Sequence, residues 1–357
     1  MTRRDRVLLW VLGIVVSVLV LFFLRTILLP FVVGFAVAYL LDPAADRLEA
    51  AGLSRTLATT TITAGFFALV VLSILILFPL LETQTTGFLT RVPEYAERIR
   101  GAALLIVEGR IPGFDAEDLE GMRSVAAGFA AQSVAWLADA LTSIWRGGVA
   151  LFNFLSLTFV TPVVAFYLIR DWDRIVAKVD ALLPRRNAEA IREQMRLVDE
   201  ALSGFIRGQG SVALILGVIF AVGWSLAGLE FGLLIGLGAG LLAFIPYVGA
   251  IIGFGTAFIV ALVQFGFDPL SLGLVVLVFV IGQTLDGLYL TPNLVGGRVG
   301  LHPVWVMFAL MAGGALFGFV GIFLAVPAAA VIAVLVRFSI ERYRRSAYFL
   351  EEGRGES

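Results

Sequence analysis

The chain has 357 residues, 60% hydrophobic and 15% charged, with a mean hydropathy of +0.98; soluble domains hold about 45–50% apolar residues, so a water-solvated exterior is excluded. The formal net charge of −1, with basic residues scattered, argues against a nucleic-acid partner. No cysteine and a single histidine exclude disulfides, thiolate metal sites and histidine-rich ones.

Arg3, Arg4 and Arg6 precede the first apolar run, and Arg337, Arg342, Arg344 and Arg345 follow the last, so both termini read as cytoplasmic and the number of crossings as even. The run from Val7 to Leu24 has no small-x-small cleavage site behind it and reads as an uncleaved first helix. Further apolar segments cover 27–41, 57–81, 148–169, 212–228, 231–246, 249–267, 270–290 and 303–336. The segment 27–41 is shorter than the ~20 residues a simple span needs, and 303–336 is long enough for a hairpin. The expected fold is an all-α polytopic membrane protein of about eight transmembrane helices, some broken or re-entrant.

This divides the chain into N-terminal transmembrane helices (1–81), a polar insertion (82–147), a transmembrane helix (148–169), a second polar segment (170–211), a C-terminal transmembrane core (212–340) and a tail (341–357). The insertion 82–147 carries six arginines and nine acidic residues, with Pro93 and Ile111-Pro112-Gly113 interrupting amphipathic stretches, and is placed outside. The segment 170–211 has seven arginines, the chain's one lysine (Lys178) and seven acidic residues, and is placed inside. Within it Ile191, Met195, Val198, Leu202 and Phe205 recur at helical spacing, which predicts one helix with a narrow apolar seam. The seam packs on the protein's own membrane domain or the bilayer surface, or else pairs two subunits.

Glycines fall at small-xxx-small spacing in Gly232/Gly236/Gly240, Gly249/Gly253 and Gly314/Gly318, a pattern that lets membrane helices approach closely. Proline inside an apolar segment frees backbone groups that protein or a watered cavity must satisfy. Such breaks are expected at Phe244-Ile245-Pro246-Tyr247-Val248-Gly249, at Pro292-Asn293 through Gly296 to Gly300, and at Pro327; each is either part of a transport pathway or a hinge.

Asp286 is the clearest ionisable residue in an apolar segment, with Gln283 three residues earlier on the same helical face. It either meets a cation or proton during transport, or lies at the interface, pairing with Arg298 or capping a helix. His302, before Pro303, reads as a structural residue or a pH-sensitive element. Glu230 and Asp268 fall at turns and are expected to be solvated. No His-Glu-x-x-His, no Gly-x-Ser-x-Gly and no phosphate loop around Lys178 occurs, so no enzymatic activity and no cofactor are expected.

The string from Pro292 to Pro303, followed by Gly313-Gly314, Leu316-Phe317-Gly318, Gly321 and Leu324-Ala325-Val326-Pro327, closely resembles the autoinducer-2 exporter family of bacterial transporters. Ile245 to Gly249, Phe205 to Gln209, Pro162 to Asp171, and Ala38 to Pro43 with Ser54-Arg55 extend the resemblance over nearly the full chain; 82–147 is its weakest part. The resemblance implies a multi-pass protein of the bacterial inner membrane that forms a homo-oligomer, with a pentamer as the implied assembly. It also implies an acidic residue of interest at Asp286. Activities in the family differ, from export of the quorum-sensing signal autoinducer-2 to Na⁺(Li⁺)/H⁺ antiport, so the substrate stays open.

Two functional classes follow. In the first, the chain is a secondary transporter or facilitator for a small solute or monovalent cation, its pathway lined by Pro246, Gly249, Pro292, Asn293, Gly296, Gly300 and His302, with Asp286 and Gln283 contacting the solute or ion. In the second, it is a membrane scaffold whose two polar segments bind partners.

Overall fold

A computed structural model describes residues 12–13, 16, 19–24, 27–107, 156–185, 187–266, 268–295, 300–346 and 349. These residues form helices and turns. The main helices are α1 (Leu29–Ala50), α2 (Arg55–Val107), α3 (Thr161–Ala181), α4 (Ala188–Leu226), α5 (Gly232–Leu242), α6 (Val248–Phe265), α7 (Pro269–Leu285) and α8 (Pro303–Arg344). A short π-helical turn, Ser156–Val160, leads into α3, and a longer π-helical segment, Asp286–Val295, prolongs α7. Six helical stretches among the described residues are long and apolar enough to cross a membrane. The all-α polytopic fold expected from the sequence is the fold observed.

The chain divides into two compact units, each discontinuous in sequence. The first comprises Met1–Ala68, Ser156–Ser211 and Leu290–Ser357; the second comprises Leu69–Leu155 and Val212–Tyr289. Helices in lipid gain little hydrophobic free energy by meeting one another, so close van der Waals packing and hydrogen bonds must hold each unit together.

In the first unit α1 lies against α3. Gly34 permits the approach, since a Cβ there would stand 2.8 Å from Val164 Cγ1. Ala38, Ala45 and Ile169 form a buried cluster nearby, with Leu41 and Leu168 packed on it. The buried Thr161 hydroxyl donates to the Pro30 carbonyl at 3.3 Å, tying the first turn of α1 to the start of α3.

The second unit is built on the glycine stripe of α5. Added Cβ atoms at Gly236 and Gly240 would fall 2.2 Å from Ala221 N and 2.1 Å from Gly217 Cα of α4. At Gly249 one would fall 2.3 Å from Ala243 N, and at Gly253 2.3 Å from Ala239 Cβ. The small-residue spacing seen in the sequence is thus realised as backbone contact. Around it Phe220 stacks on Trp224, whose fully buried indole N–H donates to the Val275 carbonyl at 3.2 Å.

Several expected breaks fall elsewhere. The apolar segment expected at 27–41 is the 22-residue helix α1, because the amphipathic turns beyond Leu41 continue it. Pro93 does not interrupt α2, which runs unbroken from Arg55 to Val107. Pro292 lies inside the π-helical segment Asp286–Val295, whose wider turn accommodates it. Pro327 sits within helical α8; the interruption there is Gly318, with φ 61° and ψ −139°.

Gly313 and Gly321 meet across that kink, a Cβ on Gly321 falling 1.9 Å from the Gly313 carbonyl oxygen. Eight residues of straight helix would separate them by ~12 Å. The segment is therefore a helical hairpin, as the length of 303–336 allowed. The seam residues Ile191 to Phe205 occupy one helix, α4, and Phe205 is buried against the protein itself. Most of the expected first helix, the insertion beyond Val107, Gly296 and Arg298 lie outside the described residues.

Candidate functional site

In the second unit, α5 has 11 residues and spans ~16 Å, about half the ~30 Å hydrocarbon thickness. Both of its approaches carry backbone that L-residues rarely adopt: Phe231 before it has φ 61°, and Tyr247, after Pro246 and immediately before α6, has φ 68°. Pro246 contributes no N–H, so the reversal is closed around it. Ile245 N donates to Leu242 O at 3.0 Å and Val248 N to Ile245 O at 3.2 Å. The break expected at Pro246 is present, and it turns a half-length helix back into the 18-residue α6. Gly249 on the next turn is buried and serves as the contact surface for Ala239 and Ala243.

The register of the neighbouring helices places Asp286 at this turn. Phe254 of α6 stacks on Phe279 of α7 at 4.2 Å between centroids. Seven residues back from Phe254 is Tyr247 and seven on from Phe279 is Asp286, so the two stand at one level of the antiparallel pair. The α4–α7 register agrees, since Gly282 packs on Phe220, putting Asp286 near the level of Leu216 and Gly217, and Gly217 is where Gly240 crosses. Asp286 opens the π-helical segment, half-buried, with Gln283 half-buried on the preceding turn. Four sequence candidates, Pro246, Gly249, Gln283 and Asp286, thus share one end of the second unit.

Pro292, Asn293, Gly300 and His302 belong to the first unit. Asn293 is exposed on the π-helical segment, and Pro292 lies beside it. Gly208 of α4 packs against the end of this segment: a Cβ there would fall 2.4 Å from the Leu294 carbonyl oxygen. Gly300 adopts φ 55° and its carbonyl accepts from Arg337 Nη2 at 3.2 Å. His302 is the N-cap of α8, its Nδ1 accepting from Val304 N at 3.4 Å, which is a structural role. Asp268 is likewise an N-cap, accepting from Ser271 N at 2.9 Å at the head of α7; a hydrogen bond from the Ser271 side chain, and then this backbone bond, hold its carboxyl below the usual range. Glu230, expected to be solvated, is half-buried, its N–H donating to Gln264 Oε1 at 2.7 Å.

A polar cluster in the first unit was not singled out from sequence. Arg55, only 16% exposed, donates to Asp42 (2.8 Å), Asp46 (2.5 Å) and Glu49 (3.1 Å) of α1 and to the Ile169 carbonyl of α3 (2.9 Å). Next to it Tyr39 donates to Asp199 of α4 at 2.9 Å, and Arg207 Nε donates to the Tyr39 carbonyl at 2.8 Å. Tyr39, Asp42, Asp199 and Arg207 line a cavity of about 80 Å³ together with Phe35 and Trp172. Tyr39, Asp42, Arg55 and Arg207 lie in the strings that carry the family resemblance, yet their pairing joins positions up to 168 apart and no local pattern reports it.

Residues 11–341 match the family model described as AI-2E family transporter. YrrI of Bacillus subtilis (strain 168), provisionally named a transport protein, is 32% identical over 313 residues, covering 88% of this chain and 86% of that protein. YueF of the same organism is 24% identical over 347 residues, covering 92% of each. PerM of Escherichia coli (strain K12), provisionally named a permease, is 27% identical over 325 residues, covering 89% of this chain and 88% of that protein. A match over nearly the whole chain, together with its helical membrane fold, makes this protein a member of the AI-2E transporter family.

Proposed function

We propose that this protein is a secondary transporter, or a facilitator, that moves a small solute or monovalent cation across the bacterial inner membrane, with both termini cytoplasmic. The observation that carries the reading is the coincidence of a half-length helix, its Pro246 turn and the Asp286 carboxylate at one end of the second unit. Ends of broken helices present partial charges at membrane depth, where an ionisable side chain is otherwise costly. The provisional names of YrrI and PerM support the same class.

Two modes follow from the carboxylate. In a Na⁺(Li⁺)/H⁺ antiporter, Asp286 alternates between proton and cation, and Gln283 supplies a neutral oxygen ligand from the preceding turn. In uncoupled export of a neutral signal such as autoinducer-2, the pair offers hydrogen bonds only. The test is pH-gradient-driven flux in proteoliposomes on Na⁺ or Li⁺ addition, for wild type and Asp286→Asn. Cation-induced proton movement abolished in the variant supports antiport. Equal movement in the variant removes Asp286 from the pathway. Background flux for cations and organic signals alike, with a stable co-purifying partner, would favour a scaffold.

A further inference from the structure

An exposed apolar stripe runs from the π-helical turn Ser156–Val160 into α3 and does not end with its apolar residues. Phe159, Val163 and Tyr167 are 66%, 53% and 51% exposed at intervals of four, and the same face continues as Arg170, Arg174 and Lys178. The eleven residue steps from Phe159 to Arg170 rise ~16 Å, close to the ~15 Å hydrocarbon depth of one leaflet. Arg170 marks the boundary, its guanidinium carbon 4.6 Å from the Tyr167 ring centroid and 5.3 Å from that of Phe166.

Beside this stripe lies a cavity of about 420 Å³ lined by Glu49, Arg55, Thr56, Arg170, Asp173 and Arg174. Three arginines and two carboxylates line it; Arg55 is held by Asp42, Asp46 and Glu49, so Arg170 and Arg174 supply the positive charge that a ligand can meet. Arg170 donates from Nε and Nη2 to Asp171 at 3.0 and 2.7 Å, which leaves Nη1 outside that bidentate pair. Arg174 stands 3.8 Å from Asp171 and is 81% exposed, so its charge remains open to a ligand. Thr56 adds a hydroxyl in the first turn of α2, where the helix dipole is positive.

We propose that this cavity holds the phosphodiester headgroup of an anionic phospholipid, with acyl chains lying along Phe159, Val163 and Tyr167. Arginine recognises phosphate oxygens with a planar fork of donors. A lipid is favoured over a free anion because Arg170 and Arg174 belong both to the cavity wall and to the stripe that emerges from hydrocarbon.

The test is native mass spectrometry of the full chain in detergent with phosphatidylglycerol, phosphatidylcholine or inorganic phosphate. Phosphatidylglycerol should be retained in preference to phosphatidylcholine, and Arg174→Gln should weaken it about fivefold. Arg196→Gln, which removes ion pairs to Glu193 and Glu200 on α4, should leave retention unchanged. Because Arg174 is exposed, its replacement keeps the fold, and an unaltered melting temperature checks this. Equal retention of the two lipids, retention untouched by Arg174→Gln, or displacement by equimolar inorganic phosphate would overturn the proposal.

Discussion

The Tyr39 hydroxyl donates a 2.9 Å hydrogen bond to Asp199 Oδ1, joining α1 to α4 across 160 residues of sequence. Arg207, two turns further along α4, returns the contact by donating to the Tyr39 carbonyl. One residue of α1 is therefore held at both its side chain and its backbone by the same helix. Where burial between membrane helices gains little, such bonds carry a larger share of the association.

Tyr39→Phe removes the first bond and leaves the second intact. The expected loss is about 1 kcal/mol, the net worth of one hydrogen bond to a group that stays solvated at its carboxylate end. Asp199→Asn keeps an acceptor and should cost less. Unfolding of the two variants and their double variant in micelles gives the coupling; a coupling of zero would mean the bond contributes nothing in solution.

Gly236 and Gly238 sit two residues apart on α5 and face different surroundings. A Cβ at Gly236 would lie 2.2 Å from Ala221 N, while one at Gly238 meets nothing within 4 Å. Gly236→Ala should destabilise by about 1–3 kcal/mol, because the facing backbone must move. Gly238→Ala should be neutral or stabilise by about 0.5–1 kcal/mol, by restricting the unfolded chain. Thermal unfolding in one detergent compares them directly, and equal effects would contradict the packing described.

The same pair marks what the sequence makes legible. Spacing alone identified Gly232, Gly236 and Gly240 as a contact stripe, because small residues four apart must share a helix face. Proline was a weaker guide: Pro246 does break the chain, but Pro93 and Pro327 lie in continuous helix and the real reversal in α8 is at Gly318. A helix can absorb a proline when neighbouring groups satisfy the freed carbonyl, whereas φ 61° with ψ −139° is open essentially to glycine alone. The Arg55 and Tyr39 networks were illegible because each joins separate helices, and helical periodicity constrains only neighbours on one helix.

Asp180 at the end of α3 accepts two hydrogen bonds from Arg192 of α4, at 2.6 and 2.9 Å, clipping the turn between them. Those bonds hold the Asp180 carboxyl below its usual range. A depressed folded pKa means the stabilisation is complete above the unfolded carboxyl pKa, near ~4, and fades as pH falls through the lower folded value. Asp180→Asn should therefore lower the melting temperature at pH 7 and bring the variant and wild type together in acid. The exposed position makes the difference small and reducible by salt. A constant gap from pH 7 down to pH 3 would show that the charge is not its source.

Tyr247 holds φ 68° with ψ −32° in the turn that leads from α5 into α6. A bulky L-residue in that region is strained by roughly 1–2 kcal/mol, and nearly half of the side chain is exposed, so little packing is lost on truncation. Tyr247→Gly should thus leave stability unchanged or raise it by about 1 kcal/mol. Its effect on flux separates two uses of the turn. If the strained geometry only reverses the chain, glycine, which adopts it freely, preserves flux. If the rigid turn holds the end of α5 at the level of Asp286, the added freedom lowers flux while the protein stays folded. Reconstituted transport measured beside the melting temperature distinguishes the two, and a loss of both together would instead assign the tyrosine ring to the packing of the unit.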